Sequence, residues 1–278
     1  MTTLSEGQRR VLHEWLGDWE TIEDLSWPLQ DNAVLHVRND DGEHVVKASL
    51  WSHHIAREIR AHRTVLSNLD VRTPRLEHAD LESKLLVTSY LPGELVLGTS
   101  AEWNPETYLQ AGVILSQIQV PLGTSEDYFN DVLTRIGAFF DEAVALVPHD
   151  QLEALHDRVE RLRSVPVDIY FTHGDYQPRN WITDDGVVGV IDFGRAAERS
   201  WVSDLVRLRS RQFVDHPELE EAFMTGLGRR LTTADHETLK LETVNEGLGT
   251  VIWAHKIGDD QFEEHGRRMI ARILDSAT

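Results

Sequence analysis

One short segment concentrates residues that can do chemistry: His173-Gly174-Asp175-Tyr176-Gln177-Pro178-Arg179-Asn180, followed shortly by Asp192-Phe193-Gly194. Between them, Asp184-Asp185-Gly186 has the composition of a tight hairpin turn. A hairpin closed there pairs its strands so that Asn180 and Asp192 lie nearly opposite each other at its open end. One amide and one carboxylate then face a common point. Asp175 lies on the loop that leaves the preceding strand, which brings a second carboxylate close.

These side chains carry hard oxygen atoms, and no His or Cys ligand lies among them. Oxygen ligands in this number suit Mg²⁺ that is held jointly with substrate phosphates. Phosphoryl transfer needs such a metal, together with a carboxylate that positions the attacking hydroxyl and accepts its proton. Turns and hairpin ends are also rich in Asp and Asn for local backbone reasons, so the three residues taken alone have a structural alternative.

Composition narrows the class of protein. The 278 residues include 47 Asp and Glu against 27 Lys and Arg, which gives a formal net charge of −20, and there is no Cys. The acidic excess argues against a general nucleic-acid binder, because phosphate neutralisation needs a basic surface, and it fits a cationic small molecule better. The absence of Cys excludes disulfides, thiolate metal sites and a cysteine nucleophile.

No targeting or membrane-spanning segment is evident. The N-terminal residues lack the apolar core of a signal peptide, and no stretch approaches the roughly 18 apolar residues of a membrane span. We therefore expect a soluble cytoplasmic protein.

The first 92 residues show a mostly β pattern with one prominent helix. A short helix is predicted after Ser5, and strands are predicted over 33–37 and 44–47 around a turn at Asn39 to Gly42. A helix is predicted over 51–66 and a strand over 84–90. The strand leads into Leu91-Pro92-Gly93, where we expect a hinge between a first lobe, 1–92, and a second lobe, 93–278.

The pattern beyond Gly93 is dominated by amphipathic helices. They are predicted over 104–120, 125–147, 149–164, 204–212, 217–231, 234–257 and 259–274. A strand over 167–172 enters His173, and strands over 181–183 and 187–191 form the hairpin described above.

The segment HGDYQPRN with VIDFG resembles the aminoglycoside phosphotransferase family, a branch of the protein-kinase-like fold. His-Gly-Asp, a Pro three residues after the Asp and an Asn five after it recur in that family. The resemblance implies a bilobal α+β fold, with a small β-rich nucleotide-binding lobe (1–92) and a larger helical catalytic and acceptor-binding lobe (93–278). It makes Asp175 the catalytic base, Asn180 and Asp192 the Mg²⁺ ligands, and His173 a structural brace.

Further residues match the same family in chain order. Lys47, at the end of a strand and one of only four Lys, resembles the lysine that contacts the α and β phosphates of ATP. Glu58 resembles its partner on a helix. The segment Leu86 to Gly93 resembles the strand and hinge where adenine docks, with backbone groups of Ser89 and Leu91 as partners. Asp204 resembles an acidic residue that caps a helix and ties down the catalytic loop; an isolated N-cap is the alternative.

One departure from the family concerns the loop expected to cover the phosphates, Ser26 to Asn32, which contains no Gly. Close approach of backbone to phosphate favours Gly. We therefore expect a looser or differently shaped clamp, in which side chains such as Asn32 take part.

The resemblance implies phosphorylation of a hydroxyl on a small molecule, with ATP and Mg²⁺ as cofactors and GTP left open. An aminoglycoside or amino-sugar is the first acceptor to consider, and a sugar, a choline-like compound or an amino-alcohol is the alternative. A nucleotide-binding pseudokinase regulator would fit the missing glycines but not the intact Lys47, Asp175, Asn180 and Asp192. An inert helical interaction module would leave those four residues unexplained. No nucleic-acid or membrane partner is expected, and the oligomeric state is open.

Overall fold

The computed structural model describes residues 4–27, 32–51 and 53–275 of the chain. The strands within these residues are β1 (Glu20–Asp24), β2 (Asn32–Asn39), β3 (Gly42–Ser49), β4 (Leu76–Asp80), β5 (Leu85–Ser89), β6 (Glu94–Leu95), β7 (Pro121–Ser125), β8 (Val167–Thr172), β9 (Trp181–Asp184), β10 (Val187–Val190) and β11 (Ala197–Ser200). They form three sheets, with strand orders β1-β2-β3-β5-β4, β10-β9-β6 and β11-β8-β7.

The α-helices are α1 (Glu6–Leu16), α2 (His54–Thr64), α3 (Pro105–Ile118), α4 (Tyr128–Ala143), α5 (His149–Glu160), α6 (Val206–Ser210), α7 (Pro217–Leu227), α8 (Thr233–Ile257) and α9 (Asp260–Asp275). Short 3-10 helices precede α3 and α6, and another covers Pro178–Asn180. The mixed α+β architecture agrees with the prediction.

Contacts divide the chain into two compact units. The first contains residues 1–120, 173–197 and 217–228, and the second contains 121–172, 198–216 and 229–278. The two units alternate along the chain. The lobe boundary after residue 92 stays a prediction.

The five-stranded sheet of the first unit is built on a tight hairpin. Asn39 pairs with Gly42, and its side chain accepts from the backbone N–H groups of Asp41 and Gly42, which closes the turn predicted there. One face of the sheet packs on α1 through a cluster that includes Leu12, Val37 and Val46. A second cluster joins α2 to β5 through Ile55, Ile59 and Leu86. Helix α2 is therefore held against the strands by apolar side chains, which fixes the position of its polar residues.

The hinge and the second hairpin also lie in the first unit. Gly93 has a φ of 125°, and a Cβ there would lie 2.5 Å from the carbonyl oxygen of Thr183, so only Gly fits. The turn between β9 and β10 places Val190 opposite Trp181. Helix α3 packs on α7 so closely that a Cβ on Gly112 would lie 2.2 Å from the carbonyl oxygen of Phe223.

The second unit is mainly helical. Its core joins α4, α5, α8 and α9 around apolar side chains that include Phe129, Ile136, Leu248 and Ile270. Within that unit β8 pairs with β7, and β8 ends at Thr172, directly before His173. The end of β8 therefore fixes where the segment from His173 to Asn180 begins.

Some strands escape the sequence patterns for a physical reason. All five residues of β1, Glu20–Asp24, are exposed, so no apolar alternation marks it, and pairing with β2 alone makes it a strand. Strand β7, Pro121–Ser125, is also almost entirely exposed. The helix predicted over 204–212 is a 3-10 helix at Trp201–Leu205 followed by α6.

Candidate active site

Lys47 lies in the middle of β3 and forms an ion pair with a carboxylate on α2. Its Nζ lies 2.8 and 2.9 Å from the two carboxylate oxygens of Glu58. The same Nζ lies 3.1 Å from Oδ1 of Asp192. Both Lys47 and Glu58 are mostly buried, with side chains 15% and 4% exposed. One cation therefore joins the sheet, helix α2 and the end of the β9–β10 hairpin, all within the first unit.

The electrostatics of this triad follow from burial and opposite charge. Burial opposes ionisation of Lys47, but the carboxylates of Asp192 and Glu58 outweigh it and raise the Lys47 pKa. Burial raises the pKa of Glu58, and the Lys47 ammonium opposes this rise. Burial also opposes ionisation of Asp192, yet the nearby ammonium of Lys47 lowers the Asp192 pKa. Lys47 is therefore charged and Asp192 ionised at neutral pH.

His173 braces the loop that follows β8. The ring is fully buried, and its Nδ1 accepts from the backbone N–H of Asp175 at 3.2 Å. The proton therefore sits on Nε2, which donates to the carbonyl oxygen of Ile191 at 3.0 Å. The contacts of His173 join the loop at Asp175 to Ile191, the residue before Asp192. Its role as a structural brace of the site stays a prediction.

Asp175 is buried, with 3% of its surface exposed. Its Oδ1 accepts from Nε2 of Gln177, and its Oδ2 accepts from Nη2 of Arg179 at 2.6 Å. Asn180 donates from Nδ2 to the backbone carbonyl of Asp175 at 2.8 Å. The loop from 175 to 180 is thus closed on itself through both backbone and side chains.

Asn180 and Asp192 occupy the open end of the hairpin, as its predicted register requires. The backbone N–H of Ile191 donates to the carbonyl oxygen of Asn180 at 3.0 Å, which places Asp192 one residue beyond this pair. Asp192 has a φ of 66°, in the left-handed region that a residue with a side chain rarely adopts. Its Oδ1 accepts from the N–H of Gly194 at 3.4 Å.

The donor set of these two residues fits a hard divalent cation. Asn180 donates from Nδ2, and Asp192 accepts at Oδ1. Within the part of the chain that the structure describes, Oδ1 of Asn180 and Oδ2 of Asp192 therefore have no hydrogen-bond partner. An amide oxygen and a carboxylate oxygen are ligands that Mg²⁺ accepts. Asn180 and Asp192 could therefore hold such an ion.

Ser89 and Leu91 belong to the predicted hinge, where Ser89 is the last residue of β5 and Leu91 lies two residues beyond it. The N–H of Ser89 donates to the carbonyl of Arg75 at 2.8 Å, so a base could use the Ser89 carbonyl but not its N–H. Arg72 ties this hinge to the hairpin: its guanidinium donates to the carbonyl of Pro92 at 2.5 Å and to that of Val187 at 3.2 Å. The same guanidinium lies 3.4 Å from Oδ2 of Asp184. The sequence patterns did not identify Arg72, because all of these partners are distant in the chain.

Two histidines of α2 also contact the residues that directly follow Asp192. Nδ1 of His54 donates to the carbonyl of Gly194 at 2.7 Å. His62 is buried and meets the edge of Phe193, with 5.8 Å between ring centroids, while Phe193 lies 4.7 Å from His173. The residue types and spacing assign a functional role to neither histidine.

Two other predictions are not tested by the geometry. Asp204 lies in the second unit, buried in the 3-10 helix Trp201–Leu205, and the N-cap of the following α6 is Leu205. In the phosphate-covering segment, Pro28 to Asp31 lie outside the described residues. Beside them, the N–H of Val34 donates to Oγ of Ser26 at 3.0 Å, which joins the residues after β1 to β2.

The site combines Glu58, Asp175 and Asp192 with two cations, Lys47 and Arg179. A surplus of negative charge around oxygen ligands, with a buried lysine at one edge and a braced carboxylate at the other, suits a cation-bound polyphosphate. The fold and the site therefore define a phosphotransferase of the protein-kinase-like class.

Comparison of the sequence with known families supports this class directly. The chain belongs to the phosphotransferase enzyme family, whose sequence model matches residues 27–241. The resemblance to aminoglycoside phosphotransferases is thereby confirmed, and the protein is an enzyme whose family phosphorylates hydroxyl groups of small molecules. Among curated proteins, no sequence match is found.

Solved structures show the same fold at low sequence identity. The GDP and kanamycin complex of APH(2″)-IIia is 15% identical, with a TM-score of 0.71 over 97% of this chain and 98% of that chain. The macrolide 2′-phosphotransferase MphH from Brachybacterium faecium is 17% identical, with a TM-score of 0.66 over 96% and 97%. The complex of an APH(4)-Ia mutant with ADP and hygromycin B is 14% identical, with a TM-score of 0.62 over 97% and 99%. These likenesses confirm the protein-kinase-like fold.

The expectation of a cytoplasmic protein is addressed only in part. Among the helices of residues 4–27, 32–51 and 53–275, none combines the length and apolar character that crossing a bilayer requires. The cytoplasmic location stays a prediction.

Proposed function

We propose that the protein transfers the γ-phosphoryl group of ATP, with Mg²⁺, to a hydroxyl group of a small molecule. The observation that carries the proposal is the position of Lys47, whose Nζ contacts both Glu58 and Asp192 in the unit that also holds Asp175 and Asn180. Burying a lysine together with two carboxylates costs desolvation free energy. A lysine without a functional role would therefore be expected at the surface.

The nucleotide would be held at its two ends. Lys47, kept in place by Glu58, would contact the α and β phosphates. The carbonyl of Ser89 and backbone groups of Leu91 would contact the base at the hinge. Asn180 and Asp192 would hold Mg²⁺, which neutralises the charge that develops on the phosphates during transfer. Nucleotides of more than one kind occupy the similar structures, which contain GDP, ADP or AMP-PNP, so GTP belongs beside ATP in any assay.

Asp175 would act on the acceptor. Its ionised carboxylate accepts a hydrogen bond from the acceptor hydroxyl, orients the oxygen towards the γ-phosphorus and receives its proton as the new O–P bond forms. The bond between the γ-phosphorus and the β–γ bridging oxygen breaks, and ADP leaves with that oxygen. The brace from His173 to Asp175 and Ile191 would hold the base and the metal ligands in a fixed relation during this step.

An aminoglycoside or another amino-sugar is the first acceptor to test. Structures that share the fold were solved with kanamycin, gentamicin and hygromycin B, and one is a macrolide phosphotransferase. The net charge of −20 suits an amine-bearing acceptor. A sugar, a choline-like compound or an amino-alcohol is the alternative class.

The test is the variant Asp175→Asn. Without a base, kcat should fall by about 10²- to 10⁴-fold, while Mg·ATP should still bind because Lys47, Asn180 and Asp192 are unchanged. Product formation over a panel of aminoglycosides, macrolides, amino-sugars and amino-alcohols gives the rate, and calorimetry gives the nucleotide affinity.

The matched control is Asp168→Asn, which removes an exposed carboxylate from β8. It should leave both quantities near the wild-type values. If the Asp175→Asn variant had the same kcat as the wild type, the proposed role of Asp175 as the base would be contradicted. Nucleotide binding by the wild type without turnover of any acceptor would point to a pseudokinase regulator instead.

A further inference from the structure

Both carboxylate oxygens of Asp175 are already held by side chains of its own loop. Gln177 donates to Oδ1, and Arg179 donates to Oδ2 at 2.6 Å. The two donors lie two and four residues after Asp175, on either side of Pro178. The carboxylate is 4% exposed and the Arg179 side chain 30% exposed, so the guanidinium lies between the buried base and the solvent.

The backbone of the loop explains why these two side chains can meet one carboxylate. Gln177 is extended, with φ −166° and ψ 163°, and the chain then enters the 3-10 turn Pro178–Asn180. Pro178 fixes its own φ at the start of this turn. The N–H of Asn180 closes the turn on the carbonyl of Gln177 at 2.8 Å. Gln177 and Arg179 are therefore carried by a backbone that is itself constrained.

A base needs orientation as well as charge. A carboxylate oxygen offers two lone pairs, and the terminal torsion of an aspartate is broad and turns easily. With one donor on each oxygen, rotation of the Asp175 carboxylate would break two hydrogen bonds, one of them charge-assisted.

Arg179 also places a positive charge beside Asp175, next to a second carboxylate, Asp192. Burial and the negative charge of Asp175 both act to raise the pKa of Asp192, but the Lys47 ammonium outweighs them, so that pKa is lowered overall. Asp192 has Lys47 at 3.1 Å, and Asp175 has Arg179 at 2.6 Å. Each of the two neighbouring carboxylates thus contacts a different cation, although Lys47 is shared with Glu58, and these contacts limit the mutual repulsion of Asp175 and Asp192.

We propose that Arg179 is a positioning residue for phosphoryl transfer, which with Gln177 fixes the Asp175 carboxylate in the orientation that receives the acceptor hydroxyl. This inference rests on the proposed function of Asp175 as the base. Arg179 acts through Asp175, so its removal affects the transfer step and leaves the nucleotide site of Lys47, Asn180 and Asp192 unchanged.

The test compares Arg179→Ala and Arg179→Lys with the wild type. In Arg179→Ala, kcat should fall about 10- to 100-fold, while the KM for nucleotide should stay within about twofold. Added guanidinium ion, at concentrations that do not unfold the protein, should restore part of the lost kcat. Arg179→Lys should be intermediate, because a lysine keeps the charge but not the planar fork of donors.

The matched control is Arg267→Ala. Arg267 makes an ion pair of the same spacing with Glu263 on α9, in the second unit, and its side chain is similarly exposed at 34%. Its removal reports the cost of losing such a pair away from the site, and kcat should not change. Thermal unfolding of all variants separates loss of stability from loss of positioning.

Unchanged kcat in Arg179→Ala, or a loss of kcat that guanidinium and Arg179→Lys both fail to restore, would overturn the inference. A wild type that turns over no acceptor would count against the proposed function instead. In that case, NMR of the arginine side chains in the wild type bound to Mg·ADP still decides the contact. We expect the Arg179 guanidinium to rotate slowly in the wild type and fast in Asp175→Asn. Fast rotation in the wild type would refute the contact between Arg179 and Asp175.

Discussion

His62 is a buried titratable residue close to the site. It lies one helical turn after Glu58 on α2, is 4% exposed and contacts Phe193. Within the described residues, its Nε2 has no hydrogen-bond partner. Burial, with a smaller effect from the Lys47 charge, lowers the pKa of His62 to about 4. The ring is therefore neutral in the folded protein throughout the neutral range.

This residue should make folding stability fall with acid. The folded pKa lies below the reference value of 6.5, so the unfolded chain binds a proton first as the pH falls below 6.5. This contribution to the free energy of unfolding is essentially complete above pH 6.5, and about 1 kcal/mol of it is lost by pH 5.5. His62→Phe should remove this part of the slope in urea unfolding measured between pH 7.5 and 5. The exposed His236 gives the control variant His236→Gln, and an unchanged slope in His62→Phe would contradict the argument.

The residues of the site differ in how far their types and spacing reveal them. The hairpin register and the chemistry of oxygen ligands point to Asn180 and Asp192, whereas the role of Asp175 is implied by the resemblance to the family. The structure brings Lys47 and Glu58 together with Asp192. Arg179 and Gln177 lie inside the motif, yet an Arg or Gln in a loop is ordinary in any sequence. Only the folded loop shows that both reach the same carboxylate.

At the level of elements, the contact between α3 and α7 depends on glycine. A Cβ on Gly226 would lie 2.0 Å from the carbonyl oxygen of Leu109, and one on Gly112 would lie 2.2 Å from that of Phe223. Both obstacles are backbone atoms, which cannot turn aside as a side chain can. The two helices therefore approach at a distance that a methyl group prevents.

Gly226→Ala should destabilise the protein by about 2–3 kcal/mol, because the helices must separate or distort. The control is Gly137→Ala on α4, where the added Cβ has nothing within 4 Å. There, alanine should stabilise the helix by about 0.5–1 kcal/mol through its better helix propensity. Urea unfolding of both variants measures the two effects, and a shift of the same sign in both would refute the packing argument.

Elements with strong local signals were predicted well. The Ser5 cap, the turn at Asn39 to Gly42 and the hairpin at 184–186 form as expected, since each is determined by nearby side chains. Strands that form only through a partner were not predicted. The exposed β1 has no pattern of its own, and its pairing with β2 is a long-range property that no local window contains.

At the scale of the whole molecule, the net charge of −20 should oppose compactness. Raising NaCl from about 20 mM to about 300 mM shortens the Debye length to less than the spacing of most surface charges. We expect the Tm to rise by about 2–4 °C, measured by calorimetry at pH 7.5. Screening of ion pairs acts in the opposite direction, but acids outnumber bases by 20.

The control for this charge effect is the double variant Glu14→Gln and Glu126→Gln, which removes two exposed acids. Its Tm should be higher than that of the wild type at low salt, and its rise with NaCl should be smaller. A Tm that falls with added salt in both proteins would show that ion pairs dominate over net repulsion.

The order of the main helices and of the β9–β10 hairpin along the chain was predictable, whereas the grouping into compact units was not. Units that alternate between 1–120, 173–197 and 217–228 on one side and the remaining segments on the other depend on contacts between distant residues. The candidate site lies within the first unit, apart from Asp204, although its residues come from separate parts of the sequence.

The left-handed backbone of Asp192 restricts what evolution can place there. A φ of 66° suits Gly, Asn and Asp, and it penalises β-branched and bulky residues. The proposed role of Asp192 as a Mg²⁺ ligand needs an oxygen-bearing side chain, which removes Gly from this set. Only Asp and Asn then satisfy both demands, and only Asp brings a negative charge to Lys47. Few substitutions at this position are therefore neutral, so we expect a relative with any other residue there to differ in chemistry as well as in sequence.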